Sequence, residues 1–171
     1  GLFLLFYMWL TISHLAGGKC VENKFQLEPE QAQIAANYCQ GNIGKAIRFA
    51  SSSDFIEMKN QVLKLLKNLD SMDIASIIDT IKEFSTHKND INDYLDLMLL
   101  WYRDVLMFKV TKDANLLLYS DEYSAISEQA TKRDYENIEN IIAAIDKAKV
   151  RLKANVNFDV TIELMILAMK D

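Results

Sequence analysis

Few residues in this chain invite chemistry, and their spacing decides what they can do. Residues 41–46, GNIGKA, have the outline of a phosphate loop. Such a loop needs G-x-x-x-x-G-K-[ST] after a strand, so that backbone N–H groups cradle phosphate and a hydroxyl holds magnesium. Here Cys39 stands where the first glycine is required and Ala46 replaces the hydroxyl, so a turn between two helices is the better reading. His14 and His87 are far apart, and Cys20 and Cys39 form no C-x-x-C pair. Without paired histidines or cysteines, neither a metal site nor a disulfide framework is expected. No G-x-S-x-G elbow exists, and Ser51, Ser52 and Ser53 read as a linker rather than a nucleophile. Catalytic, metal-binding and cofactor-binding residues are therefore all expected to be none. Trp101, Arg103 and Asp104 form a polar knot inside an apolar run, read as a core tryptophan beside a solvated ion pair. Lys147, Lys149, Arg151 and Lys153 make a basic stretch, but Ala148 and Leu152 interleave, so a solvated helix face is expected rather than a DNA site.

The elements that carry these residues are helices. The chain has 171 residues, 50% of them hydrophobic, with one proline and five glycines. That composition excludes collagen-like and low-complexity classes and a turn-rich β-sandwich. A formal net charge of -5 removes the simple electrostatic case for nucleic-acid binding. Pro29 suits a first helical turn, and Gly41 suits the end of the helix it opens. A second helix is expected over 43–50. Asp54 starts a third, with Phe55, Met58, Val62, Leu65, Leu66 and Leu69 at helical spacing. Ser71 is expected to cap a fourth, carrying Ile74, Ile77, Ile78, Ile81 and Phe84. The longest helix is expected over 90–110, with one stripe from Ile91 to Leu106, widened by Leu97, Leu100 and Trp101. A helix apolar on more than one side must be covered on more than one side. Ser120, Asp121 and Glu122 make a helix start, and two further helices are expected over 134–153 and 158–170. No segment alternates as a strand does, so the fold class is all-α.

Residues 2–15, LFLLFYMWLTISHL, differ from the rest. The run is short for a membrane span, which needs about 20 apolar residues, and no basic residues precede it as in a secretory signal. It reads as a buried or interface helix or a foreign segment, with a remote address segment or a membrane-active peptide as alternatives. The chain lacks an initiator methionine and reads as part of a longer protein.

Three segments together resemble the C-terminal part of bacterial DNA polymerase III clamp-loader subunits, the delta-prime branch most closely. Residues 33–50, QIAANYCQGNIGKAIRFA, are similar to the end of the helical lid of an AAA+ module. Residues 99–109, LLWYRDVLMFK, are similar to the W-x-R-D-x-L stretch of the family's collar helix. Residues 148–169, AKVRLKANVNFDVTIELMILAM, are similar to its closing N-x-N-x-x-x-x-x-E-x-[LM] element. Residues 1–24 find no counterpart.

The resemblance implies a helical bundle like the clamp-loader collar over 54–171, preceded by the end of an AAA+ lid over 25–50. It implies a non-enzymatic part of a cytoplasmic polymerase complex that loads sliding clamps in DNA replication. Partners would be other clamp-loader subunits, with DNA reached only through the complex, no membrane and no small-molecule substrate. Where ATP-hydrolysing members carry an arginine that reaches the γ-phosphate, this chain has Gly44, which fits the non-hydrolysing delta-prime type. An ATP-hydrolysing paralogue, or a secreted or membrane-anchored helical protein, stays open as an alternative. The expected interface residues are Leu97, Leu100, Trp101, Arg103, Asp104, Asn155 and Asn157, the two asparagines also reading as turn and cap residues. Surplus apolar surface is expected on the 90–110 helix and on the last two helices.

Overall fold

The computed structural model describes residues 53–170. The apolar run at 2–15, the glycine turn at 41–46 with Gly44, and the lid-like segment at 33–50 lie outside the described residues. Six helices account for most of the described chain: α1 (Ser53–Asn68), α2 (Ile74–Ser85), α3 (Ile91–Thr111), α4 (Tyr123–Lys132), α5 (Tyr135–Lys153) and α6 (Phe158–Lys170). Short 3-10 turns precede α2, α3 and α4, and another follows α3. No strand occurs among the described residues, and the fold class is all-α as expected.

The chain divides into two compact units. Of the described residues, 53–58 and 118–120 belong to one unit, in which Phe55, Met58, Leu118 and Tyr119 are buried. Residues 59–117 and 121–170 belong to the other, a helical bundle.

In that bundle α3 packs against α4 and α5, and α6 packs against α5 and α2. The sequence pattern explains the choice of faces. Ile138, Ile141, Ile145 and Ala148 of α5 recur at three- and four-residue spacing and are all buried. Ile162, Met165, Ile166 and Met169 of α6 do the same. Helix α3 buries Tyr94, Leu95, Leu97, Met98, Trp101, Tyr102 and Val105, so it is covered on more than one side by its own chain. That corrects the expectation of surplus apolar surface along its length; only Val110, at its end, is a strongly exposed large apolar residue there.

Three caps set the boundaries. Asp73 caps α2: its carboxylate accepts from Ser76 N at 2.8 Å and from Ser76 Oγ at 2.6 Å. The expected cap, Ser71, instead sits in the turn after α1, where its hydroxyl donates to the Asn68 carbonyl at 2.9 Å. A carboxylate at the residue bordering the first turn wins because it reaches the orphan N–H directly. Asp134 caps α5 by accepting from Asn137 N at 2.7 Å, and Asn157 caps α6 by accepting from Val160 N at 3.0 Å. Ser120 begins only a 3-10 turn, and α4 starts at Tyr123.

Candidate interaction surface

Two of the expected interface residues lie wholly inside the chain. Leu97 and Trp101 have no exposed surface. The Trp101 indole Nε1 donates to Gln129 Oε1 at 3.0 Å, and Gln129 Nε2 donates to the Leu66 carbonyl at 2.9 Å. One buried amide thus joins α1, α3 and α4, and both its oxygen and its nitrogen have partners. Leu100 is half-buried.

Arg103 and Asp104 form an ion pair, but it is not solvated as expected. Asp104 is fully buried and the Arg103 side chain is only 10% exposed. The Arg103 guanidinium donates to Asp104 Oδ1 and, at 3.2 Å, to the Leu116 carbonyl, fastening the segment after α3 onto that helix. Burial is tolerable for such a pair only when hydrogen bonds satisfy the remaining charge. The pair is a clasp within the chain.

Asn155 and Asn157 shape the turn between α5 and α6. Asn155 adopts φ 56°, in the left-handed region. Its N–H donates to the Leu152 carbonyl at 3.1 Å, while Val156 N donates to the Arg151 carbonyl at 3.0 Å. These are the two bonds of a Schellman motif, with asparagine at the position that glycine more often takes. Asn157 then caps α6. Both side chains lie at the surface.

Electrostatics concentrate on two carboxylates and one phenol. Hydrogen bonds from the Ser76 side chain and backbone hold Asp73 below the usual carboxylate range. Burial, reinforced by neighbouring Asp96, pushes Asp93 upward. Burial drives the Tyr102 phenol well above its ordinary value, and its hydroxyl makes no hydrogen bond. Among the described residues no group of three or more His, Cys, Asp or Glu could hold a metal ion. No helix of the described residues is long and apolar enough to cross a membrane.

The exposed apolar side chains lie elsewhere. On α6, Val160, Leu164 and Leu167 are 49%, 46% and 42% exposed. At about 100° per residue they share one line on the helix, opposite Ile162, Met165 and Met169. Leu164 also borders a cleft of about 210 Å³ between α5 and α6, walled by Ala144, Ala148 and Ala168. On α2, which packs against α6, Ile74 and Ile78 are exposed one turn apart. The sequence predicts surplus apolar surface on the last two helices; α6 carries Val160, Leu164 and Leu167, and α5 carries Tyr135 and Val150. The sequence did not pick out Val160, Leu164 and Leu167, because α6 is apolar nearly all round and its pattern alone does not tell the inner face from the outer.

Among curated proteins, the chain is similar to DNA polymerase III subunit delta' of Bacillus subtilis (strain 168). The two are 28% identical over 159 residues, which is 90% of this chain and 48% of the relative. The chain spans about half the length of the curated relative it matches. No family model matches the chain, and no solved structure matches it. The resemblance read from the three sequence segments and the similarity to this relative point the same way.

Proposed function

We propose that the chain is a non-catalytic helical assembly module of a bacterial clamp loader, in the delta-prime role. It joins other clamp-loader subunits in the cytoplasm and contributes to sliding-clamp loading by holding them in place, with DNA met only through the complex. In this reading 54–171 is the collar and 25–50 the end of the AAA+ lid.

The observation that carries the reading is the line of Val160, Leu164 and Leu167 on the outer side of α6. A helix that already buries one face against its own bundle has no internal use for a second. Covering each half-exposed aliphatic side chain gains on the order of 1 kcal/mol, so three together are worth about a hundredfold in affinity. In this reading Leu100, Asn155 and Asn157, which reach the surface, meet a neighbour directly. Leu97, Trp101, Arg103 and Asp104 act from behind, by fixing α3 and the segment that follows it.

The test is co-elution of the purified chain with the remaining clamp-loader subunits of its own source. The wild-type chain is expected to co-elute, and Leu164→Glu with Leu167→Glu to weaken association by tenfold or more. Failure of the wild-type chain to associate, or turnover of ATP by the chain alone, overturns the reading.

A further inference from the structure

A groove lies away from the α6 stripe, where the turn before α3, the C-terminal end of α5 and the N-terminal end of α6 meet. Its volume is about 620 Å³, within the range of sites that hold ligands or short peptide segments. The floor is apolar: Ile91, Val150, Leu152, Val156 and Phe158. The rim carries Lys88, Lys149 and Lys153, and no carboxylate lines the groove.

Two features mark this groove as a place of recognition rather than a seam. The first is its exposed valines. Val150 and Val156 are 69% and 46% exposed. Val156 is the residue after the left-handed Asn155, the position from which a Schellman turn ordinarily buries an apolar contact against the helix it ends. Here the turn forms and both valines stay open. The second is charge. The chain as a whole is acidic, with a net charge of -5, yet three lysines gather on this rim. Lys88 holds its ammonium 4.9 Å from the centre of the Phe158 ring. Lys149 bonds Asp96, outside the groove. Lys153 is exposed. The nearby Asp159 carboxylate is turned to Ser85, whose hydroxyl donates to it at 3.1 Å.

We infer that this groove docks a short acidic segment of a partner protein, aliphatic side chains seated on Val150 and Val156 and carboxylates on the lysine rim. Charge complementarity selects the sign of the partner. The aliphatic floor selects a peptide over a nucleic acid, which would call for open aromatic faces on which bases stack; the one ring here lies under Lys88. The groove shares Asn155 with the assembly surface, but the inference goes beyond the assembly reading and does not depend on it.

The test uses the full chain, fluorescently labelled, on an array of ten-residue peptides varying independently in acidic and aliphatic content. Retention is expected only on peptides holding both. Exchanging their Asp and Glu for Asn and Gln is expected to weaken binding at least tenfold. Lys88→Glu with Lys153→Glu is expected to abolish retention while leaving the thermal transition in place, and Leu164→Glu with Leu167→Glu to leave retention unchanged. Retention on no peptide, retention indifferent to acidic residues, survival of binding in the double-lysine variant, or displacement of bound peptide by oligothymidine would each overturn the inference.

Discussion

Gln129 does more than its neighbours because it is the shared partner of two buried groups. Its amide oxygen takes the Trp101 N–H and its amide nitrogen gives to the Leu66 carbonyl. A leucine of similar size fills the space but leaves both groups unpaired, and each buried unpaired polar group costs about 1–3 kcal/mol. Gln129→Leu is therefore expected to destabilise the chain by about 2–6 kcal/mol, measured by urea denaturation. Equal stability of Gln129→Leu and wild type would contradict the geometry. The residue was unreadable beforehand because a glutamine in a polar-looking helix gives no sign of the tryptophan it will meet. Trp101 reads from the sequence as a core residue and also as an interface candidate, and the structure places it in the core. The Arg103–Asp104 pair reads as solvated from the sequence alone, yet it is buried. Adjacent residues on a helix usually diverge, and nothing local shows that the segment around Leu116 folds back over both.

Helix ends were the most legible elements and also the ones whose caps were hardest to assign. Runs expected over 90–110, 134–153 and 158–170 became Ile91–Thr111, Tyr135–Lys153 and Phe158–Lys170, because long apolar periodicity with few glycines leaves little choice. At α2 the cap is Asp73 and not Ser71: two residues with capping side chains stand close together, and the one whose carboxylate meets Ser76 N takes the role. Asp73 brings a pH dependence. Its folded pKa lies below the ordinary 3.8, so the stability it lends is present above that value and is lost as pH falls through the folded one. Asp73→Ala is expected to lower the melting temperature at neutral pH, with the gap to wild type closing under strong acid. A gap that persists below the folded pKa would assign the effect to something other than the carboxylate. At the other turn, Asn155 holds a left-handed backbone that a β-carbon resists. Asn155→Ala is expected to cost about 1 kcal/mol and Asn155→Gly to cost little or nothing, by the same denaturation measurement. If alanine and glycine behave alike, the left-handed turn is not what the residue supplies.

At the scale of the molecule the bundle separates inside from outside more sharply than its composition does. The central helix, apolar on several sides, is enclosed by its own neighbours, and the surplus passes to α6, where Val160, Leu164 and Leu167 face outward. That redistribution was not readable, since periodicity tells how much apolar surface a helix has and not which helix lies across it. It also makes the co-elution experiment clean. Glutamates at 164 and 167 enter a face that is already wet, so they are expected to leave the melting temperature within about 1–2 °C of wild type, in keeping with the small effects usual for surface changes, while association falls. A large loss of stability would mean that the stripe belongs to the chain's own core.

Helix α6 lies against both α2 and α5 and supplies Ile162, Met165, Ile166 and Met169 to the interior, and its Lys170 ammonium bonds the Met72 carbonyl beside the start of α2. A ribosome releases this stretch after everything it covers. While residues up to about 157 are emerging, the faces of α2 and α5 that α6 covers stay open to water. Without α6 the bundle would lose Ile162, Met165, Ile166 and Met169 from its interior, so a truncation shortly before residue 158 is expected to leave a polypeptide that no longer holds its fold.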